Sequence, residues 1–191
     1  MQFLPLTLEG KSVYASFWSR LGASLVDLLI LVPIVLGLHF FYGLGVWAAY
    51  LLAALTCFLY PLYHIYFNAK YGGTLGKLFF GIRVTRPNGD KIVFQQALLR
   101  SSVDLFFAVM LLVVEIFSIS QMLGDASVAS SMAERTYILS SGEWPDLYNS
   151  VDDIENIWVW SELLVMLMNK YRQALHDFIA GTVVINKEYS I

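Results

Sequence analysis

The stretch from residue 21 to residue 67 contains one acid, Asp27, and no Lys or Arg. A second stretch, 101–123, is apolar apart from Asp104 and Glu115. A helix of about 20 mostly apolar residues is long enough to cross a bilayer, so the two stretches predict at least three membrane helices. Composition agrees, since charged residues make up 14% of the chain, against about 25% in ordinary soluble domains.

Polar breaks divide the chain into four predicted spans and the segments between them. The predicted helices cover residues 17–41, 46–67, 101–123 and 154–171. The fourth is the least apolar, because its cleanest apolar run, 157–168, is short and contains Glu162. A basic loop, 68–100, follows the second span, and an acidic segment, 124–153, follows the third. We therefore predict an all-α integral membrane protein with a single domain over residues 1–191.

The distribution of basic residues predicts how the chain is oriented. Lys and Arg in short flanking segments favour the cytoplasmic side. With four spans, eleven of the twelve Lys and Arg residues lie on the side of both termini and the 68–100 loop. The 124–156 segment holds one, Arg135, against seven acids. Both termini are therefore predicted to be cytoplasmic. A three-span alternative would place the basic tail outside.

The run YGGTLGKLFFGIRV, residues 71–84, raises the question of a phosphate-binding loop. A Walker A loop needs G-x-x-x-x-G-K-[ST]. The position five before Gly76 is Tyr71, and the residue after Lys77 is Leu78, which has no hydroxyl. The run also follows a predicted membrane helix, so a nucleotide site is not predicted.

The same glycines fit a different structural role. Gly72 and Gly73 are expected to end the second span, because glycine adopts left-handed backbone at low cost. TLGKLFFGI then forms an amphipathic piece at the membrane interface, with Lys77 reaching water. Residues 82–94 carry two strand-like runs around Pro-Asn-Gly-Asp, which predicts a cytoplasmic β-hairpin. The tail segment 181–185 is also strand-like and can add a third strand.

Charged side chains near the cytoplasmic ends of the helices form the candidate site. Arg20 and Asp27 are two helical turns apart, so they share a face and Asp27 lies about 10 Å deeper. An acid inside hydrocarbon costs roughly 3 kcal/mol unless it is paired or wetted. Six side chains are predicted to converge at this end of the bundle: Arg20, Asp27, Arg100, Asp104, His176 and Asp177.

Two functions for this cluster stay open. Burial raises the pKa of a carboxyl group and a neighbouring arginine lowers it, so Asp27 could exchange a proton or bind a cation near neutral pH. Alternatively, the cluster is a charge network that pins helices together. Glu115 and Glu162 either continue a polar path outward from Asp27 or bond to each other.

Motifs for catalysis and for metal binding are missing from the sequence. It contains no Ser–His–Asp spacing, metal motif or paired-glycine dinucleotide loop. Cys57, the one cysteine, cannot alone form a disulfide or a metal site. We predict a protein that is not an enzyme and has no cofactor or metal. The basic loop suits anionic lipid headgroups better than nucleic acid.

Four stretches of the chain resemble the RDD family of bacterial membrane proteins, named for one arginine and two aspartates. They are FWSRLGASLVDLLI (17–30), GGTLGKLFFGIRVTRPNGDKIVFQQALLRS (72–101), the helix start at Asp104, and LHDFIAGTVVI (175–185). The resemblance matches the family arginine to Arg20 and its first aspartate to Asp27. The second aspartate matches Asp177, with Asp104 as the alternative. The acidic 124–153 segment is longer than the usual family connection.

The resemblance implies a multi-pass protein of the bacterial inner membrane. Transport of ions or small ligands has been proposed for the family, and some members are linked to sodium/proton exchange. The expected partners are then the lipid bilayer and a monovalent cation or proton. Four helices enclose little space, so a second copy or a membrane protein partner is also expected. The alternative function is a non-catalytic scaffold or accessory subunit that recruits a partner protein.

Overall fold

The structure is a computed structural model that describes residues 3–41, 44, 46–126 and 146–190. Its elements are helices and short strands. In order they are β1 (Thr7–Leu8), β2 (Lys11–Ser12), α1 (Phe17–His39), α2 (Val46–Tyr71), α3 (Leu75–Phe79), β3 (Ile82–Thr85), α4 (Phe94–Arg100), α5 (Ser102–Ala126), α6 (Asp146–Met168), α7 (Leu175–Ala180), β4 (Val183–Asn186) and a 3₁₀ turn (Lys187–Tyr189).

Three described helices are long and apolar enough to cross a membrane, which agrees with the prediction of at least three membrane helices. The candidate spans are Phe17–His39, Trp47–Tyr71 and Ser102–Ser120. They expose large apolar side chains, such as Leu29 and Trp47, which are 73% and 86% exposed. Large exposed apolar side chains of this kind mark contacts with a membrane or with another protein.

The fourth predicted span is a helix, but its bounds and its character differ from the prediction. α6 begins at Asp146 rather than 154 and ends at Met168 rather than 171. It is not among the three candidate spans, since it carries five acids: Asp146, Asp152, Asp153, Glu155 and Glu162. A fourth crossing therefore stays a prediction. Part of the acidic segment, residues 127–145 with Arg135, lies outside the described residues.

The β element has two strands that are distant in sequence. β3 and β4 pair antiparallel, from Ile82 opposite Asn186 to Thr85 opposite Val183, so the tail joins the loop as predicted. The predicted three-stranded element is not found there, because the second run of the hairpin gives only a bridge at Lys91. From Phe94 the good helix formers in FQQALLR wind into α4 instead.

The chain divides into two compact units. The first contains Met1–Ile30, Pro61–Val103 and Ile157–Ile191, and the second contains Leu31–Tyr60 and Asp104–Asn156. The core of the first unit is a group of buried apolar side chains on α1, β3, β4 and α4: Ala23, Ile82, Val84, Ala97 and Val184. The second has its own cluster: Ala49, Leu52, Ala53 and Ile119. We call α3, β3, α4, α7 and β4 the cap, and all of it belongs to the first unit.

Candidate functional site

Asp177 is the centre of a buried ion cluster in the first unit. It lies in the first turn of α7 and is 0% exposed. One carboxylate oxygen, Oδ2, lies 3.0 Å from Nη1 of Arg20 and accepts a hydrogen bond from the amide of Ala174. The other, Oδ1, bonds Nη1 of Arg100 and accepts a hydrogen bond from the Thr182 hydroxyl at 3.1 Å. A single carboxylate thus joins α1, α4 and the residue before β4.

The cluster continues from Arg100 to α6. Nη2 of Arg100 lies 2.6 Å from Nε2 of His176, and Nδ1 of His176 bonds the Glu162 carboxylate. The backbone amide of His176 also donates to Glu162, at 3.3 Å. Because Arg100 cannot lose its proton, Nε2 is the acceptor and Nδ1 carries the proton. α6 is therefore tied to the cap through one imidazole.

Burial and nearby charges together determine the protonation states of Asp177 and His176. Burial alone would raise the pKa of Asp177, but the charges of Arg100 and Arg20 and the hydrogen bond from the Ala174 amide hold it well below its ordinary value. Burial lowers the pKa of His176, and Arg100 lowers it further. Asp177 is therefore a fixed anion at neutral pH, and His176 is neutral. The site is a static ion pair in which neither group gains or loses a proton near pH 7.

Asp27 receives a different set of partners. It lies in α1 and is 3% exposed. Oδ1 accepts hydrogen bonds from the Tyr63 hydroxyl at 2.6 Å and from the backbone amide of Gly76 at 2.8 Å. Oδ2 accepts one from the Thr74 hydroxyl at 2.6 Å. The Tyr63 oxygen in turn accepts from the amide of Leu75 at 3.0 Å. Asp27 therefore binds the amino-terminal end of α3, where backbone donors lack helical partners.

Gly76 permits this contact because α3 lies directly against α1. A Cβ atom at Gly76 would lie 2.0 Å from the carbonyl oxygen of Ala23 and 3.0 Å from the carboxyl carbon of Asp27. Thr74 is the N-cap residue, and its hydroxyl accepts from the amide of Lys77. Gly72 has the left-handed φ of 74° expected of a residue that ends α2. The glycine run thus presents backbone N–H groups to a carboxylate of the protein itself.

The structure overturns the prediction that Lys77 reaches water. Lys77 is only 9% exposed, because α3 turns that face toward α1. Its pKa is lowered to about 7, chiefly by burial; Arg100 and Arg20 act in the same direction, and Asp27 and Asp177 oppose the shift. Lys77 therefore lies in the field of both carboxylates. The exposed side chains of α3 are Leu75 and Phe79, which fit the predicted position at the interface.

Replacement of Lys77 by methionine should change the pH dependence of stability. The unfolded chain keeps the proton on Lys77 up to its ordinary pKa of 10.5, whereas the folded chain releases it above about 7. Stability should therefore rise with pH between those values and stay level below 7. Lys77→Met should remove this rise and add up to about 5 kcal/mol at neutral pH. Thermal melts in detergent from pH 6 to 10 measure it, and an unchanged slope would contradict the burial.

The remaining predicted site residues lie elsewhere. Asp104 is in the first turn of α5 and belongs to the second unit. Of the two candidates for the second family aspartate, Asp177 is the one that bonds both Arg20 and Arg100. Glu115 is in the second unit as well, where it accepts a hydrogen bond from the Cys57 thiol at 3.3 Å. Glu162 bonds His176. The polar path through Glu115 and Glu162 stays a prediction.

Three members of the site were not predicted from the sequence. Tyr63 gave no signal, because a tyrosine near a membrane interface is common. Thr182 was treated as part of a strand. Thr74 could have been found, since threonine before a short helix is a preferred N-cap residue. Across the described ranges, no group of three or more His, Cys, Asp or Glu side chains is placed to hold a metal ion.

These features define a class of protein: a helical membrane domain whose cap is held by one buried aspartate between two arginines and by a second aspartate at a helix end. The family model described as RDD family matches residues 14–181, a range that includes Arg20, Asp27 and Asp177. The chain belongs to the RDD family. Comparison with curated proteins and with solved structures gives no match.

Proposed function

We propose that this chain is a non-catalytic membrane module in which the arginine and aspartates of the family hold the cap rigid for a partner protein. One observation carries the proposal: the carboxylates of Asp27 and Asp177 are both buried and already bonded. Asp27 accepts three hydrogen bonds, two of them from the N-cap residue and the first turn of α3. A transported cation would have to compete with these donors for the carboxylate.

The surface of the cap supports a binding role. Phe79 on α3 and Phe94 on α4 are 79% and 62% exposed. We place this face on the cytoplasmic side of a bacterial inner membrane, with both termini on that side and α6 as a fourth crossing. The basic loop then lies beside anionic headgroups. The partner is a membrane protein or a second copy of the chain.

A second candidate function is exchange of sodium or potassium for protons. It is favoured by the charge balance at Asp27, whose three donors are neutral. Within the described residues, no Lys or Arg nitrogen lies within 4.0 Å of its carboxylate, although Asp177 has two such partners. A buried carboxylate in a membrane helix with no cation in direct contact is costly, and a bound proton or monovalent cation would lower that cost beyond what the nearby Lys77 provides.

Ion flux in proteoliposomes separates the two functions. The purified chain is compared with Asp27→Asn and with the control Asp153→Asn, which removes the same charge from an exposed position. The scaffold function predicts that none of the three moves protons faster than empty liposomes under a sodium or potassium gradient. Flux in wild type and in the control, lost in Asp27→Asn, would overturn the scaffold function in favour of exchange.

A further inference from the structure

A small cavity lies beside the last turn of α2, away from both carboxylates. Its volume is about 180 Å³. The side chains that matter for its chemistry come from the end of α2, from β3 and from the following turn: Asn68, Lys70, Arg83, Thr85 and Lys91. Clefts that bind drug-sized ligands are roughly 300–1,000 Å³, so this cavity fits only a small group.

Among the described residues, several buried polar atoms on residues that line this cavity have no hydrogen-bond partner. Asn68 is 0% exposed and Thr85 is 2% exposed. Neither Nδ2 nor Oδ1 of Asn68, nor the Thr85 hydroxyl, nor Nε of Arg83 has a hydrogen bond within the part of the chain that the structure describes. Native proteins leave few buried polar groups unpaired, because each costs about 1–3 kcal/mol. Three of these four atoms are hydrogen-bond donors on residues that line one cavity, which points to a ligand with acceptor atoms.

The charges at the cavity define the chemistry of that ligand. Three of the lining residues are basic, Lys70, Arg83 and Lys91, and none is acidic. The Lys70 ammonium already donates one hydrogen bond, to the Tyr66 hydroxyl at 2.9 Å. The unpartnered donors are the Asn68 amide, the Thr85 hydroxyl and Nε of Arg83. A compact anion with several acceptor oxygens would be attracted by these basic residues and would accept hydrogen bonds from these donors. The guanidinium group of arginine suits phosphate oxygens in particular.

We propose that this cavity binds a phosphate group, carried by a small soluble compound or by a lipid headgroup. Asn68 lies in the last turn of a candidate membrane span, Trp47–Tyr71, so the cavity is at the depth where a headgroup phosphate lies. The ligand bonds Asn68, Thr85 and Arg83, and Lys91 adds attraction. None of the residues that line this cavity bonds the carboxylate of Asp27 or Asp177, so the site can be tested separately from the scaffold and exchange functions.

Binding to the full-length chain in a neutral detergent tests the proposal. Two probes distinguish the sources: inorganic phosphate, and short-chain phosphatidic acid, with the matching diacylglycerol as the lipid without phosphate. Melting temperature is recorded across a titration of each probe. Wild type should be stabilised by at least one phosphate-bearing probe and not by diacylglycerol. Stabilisation by phosphate indicates a soluble ligand, and stabilisation by phosphatidic acid alone indicates a headgroup.

Variants separate a built site from general surface charge. Arg83→Gln should weaken binding at least tenfold, whereas Lys187→Gln, which removes an equal charge from an exposed position outside the cavity, should not. Asn68→Leu should melt higher than wild type without probe, because it removes an unpaired buried amide, yet lose the stabilisation by probe. Thr85→Val gives the same test if Asn68→Leu does not fold. No binding to wild type, or equal binding to all variants, would overturn the site.

Discussion

Asp177→Asn should destabilise the folded protein by about 3–5 kcal/mol, the usual cost of breaking a buried ion pair by removing one partner. Arg20 and Arg100 are 7% and 5% exposed and both depend on this carboxylate. The neutral amide keeps the shape of the side chain but leaves two guanidinium groups buried without a countercharge. The loss should exceed that of Arg20→Gln, since Asp177 would then keep Arg100.

Thermal and denaturant melts in detergent measure this loss. The matched control is Asp153→Asn, which makes the same chemical change at an exposed residue and should shift stability by less than about 1 kcal/mol. If Asp177→Asn were as stable as the control, the cluster would not hold the cap. At pH 4 and below the wild type should approach the variant, because stability from a carboxylate of lowered pKa is lost as it is protonated.

Gly76→Ala should separate α3 from α1. Its Cβ atom would lie 2.0 Å from the backbone oxygen of Ala23, and a backbone atom cannot move aside as a flexible side chain can. Overpacking of this kind costs about 1–3 kcal/mol or more. The displacement would also break the hydrogen bond from the Gly76 amide to Asp27. We therefore expect a lower melting temperature together with weaker attachment of the cap.

Gly37→Ala is the control for this substitution. Gly37 lies in the same helix as Asp27, and among the described residues no atom outside its own helical turns lies within 4 Å of the position of an added Cβ. Alanine is favoured over glycine inside a helix by up to about 1 kcal/mol, so Gly37→Ala should be neutral or stabilising. Equal loss in both variants would mean that the close approach of α3 and α1 is not what Gly76 provides.

Hydropathy and charge spacing predicted the parts of this molecule that depend on local sequence. The apolar runs predicted the three candidate spans, and the glycine at position 72 predicted the end of α2. The meeting of Arg20 with Asp177 followed from placing the first helix and the tail on one side of a membrane. Each prediction needed only periodicity, length or membrane side.

The partners of Asp27 could not be predicted in the same way. Tyr63 and Gly76 are 36 and 49 residues away in sequence, and their approach depends on how α2 and α3 pack against α1. The burial of Lys77 has the same origin, since an amphipathic pattern does not say which neighbour covers the polar side. α4 and α7 are only 7 and 6 residues long, too short for a periodic signal.

Hydrogen exchange at the amides of α3 tests most directly whether Asp27 is an anchor. The first N–H groups of a helix normally exchange freely, because they have no helical acceptor. In wild type, the amides of Leu75 and Gly76 donate to Tyr63 and Asp27, so we predict strong protection there. Asp27→Leu, which removes both acceptor oxygens, should abolish that protection at Gly76, while Asp153→Leu keeps it. Unprotected amides in wild type, or protection of Gly76 that survives Asp27→Leu, would contradict the anchoring role of Asp27.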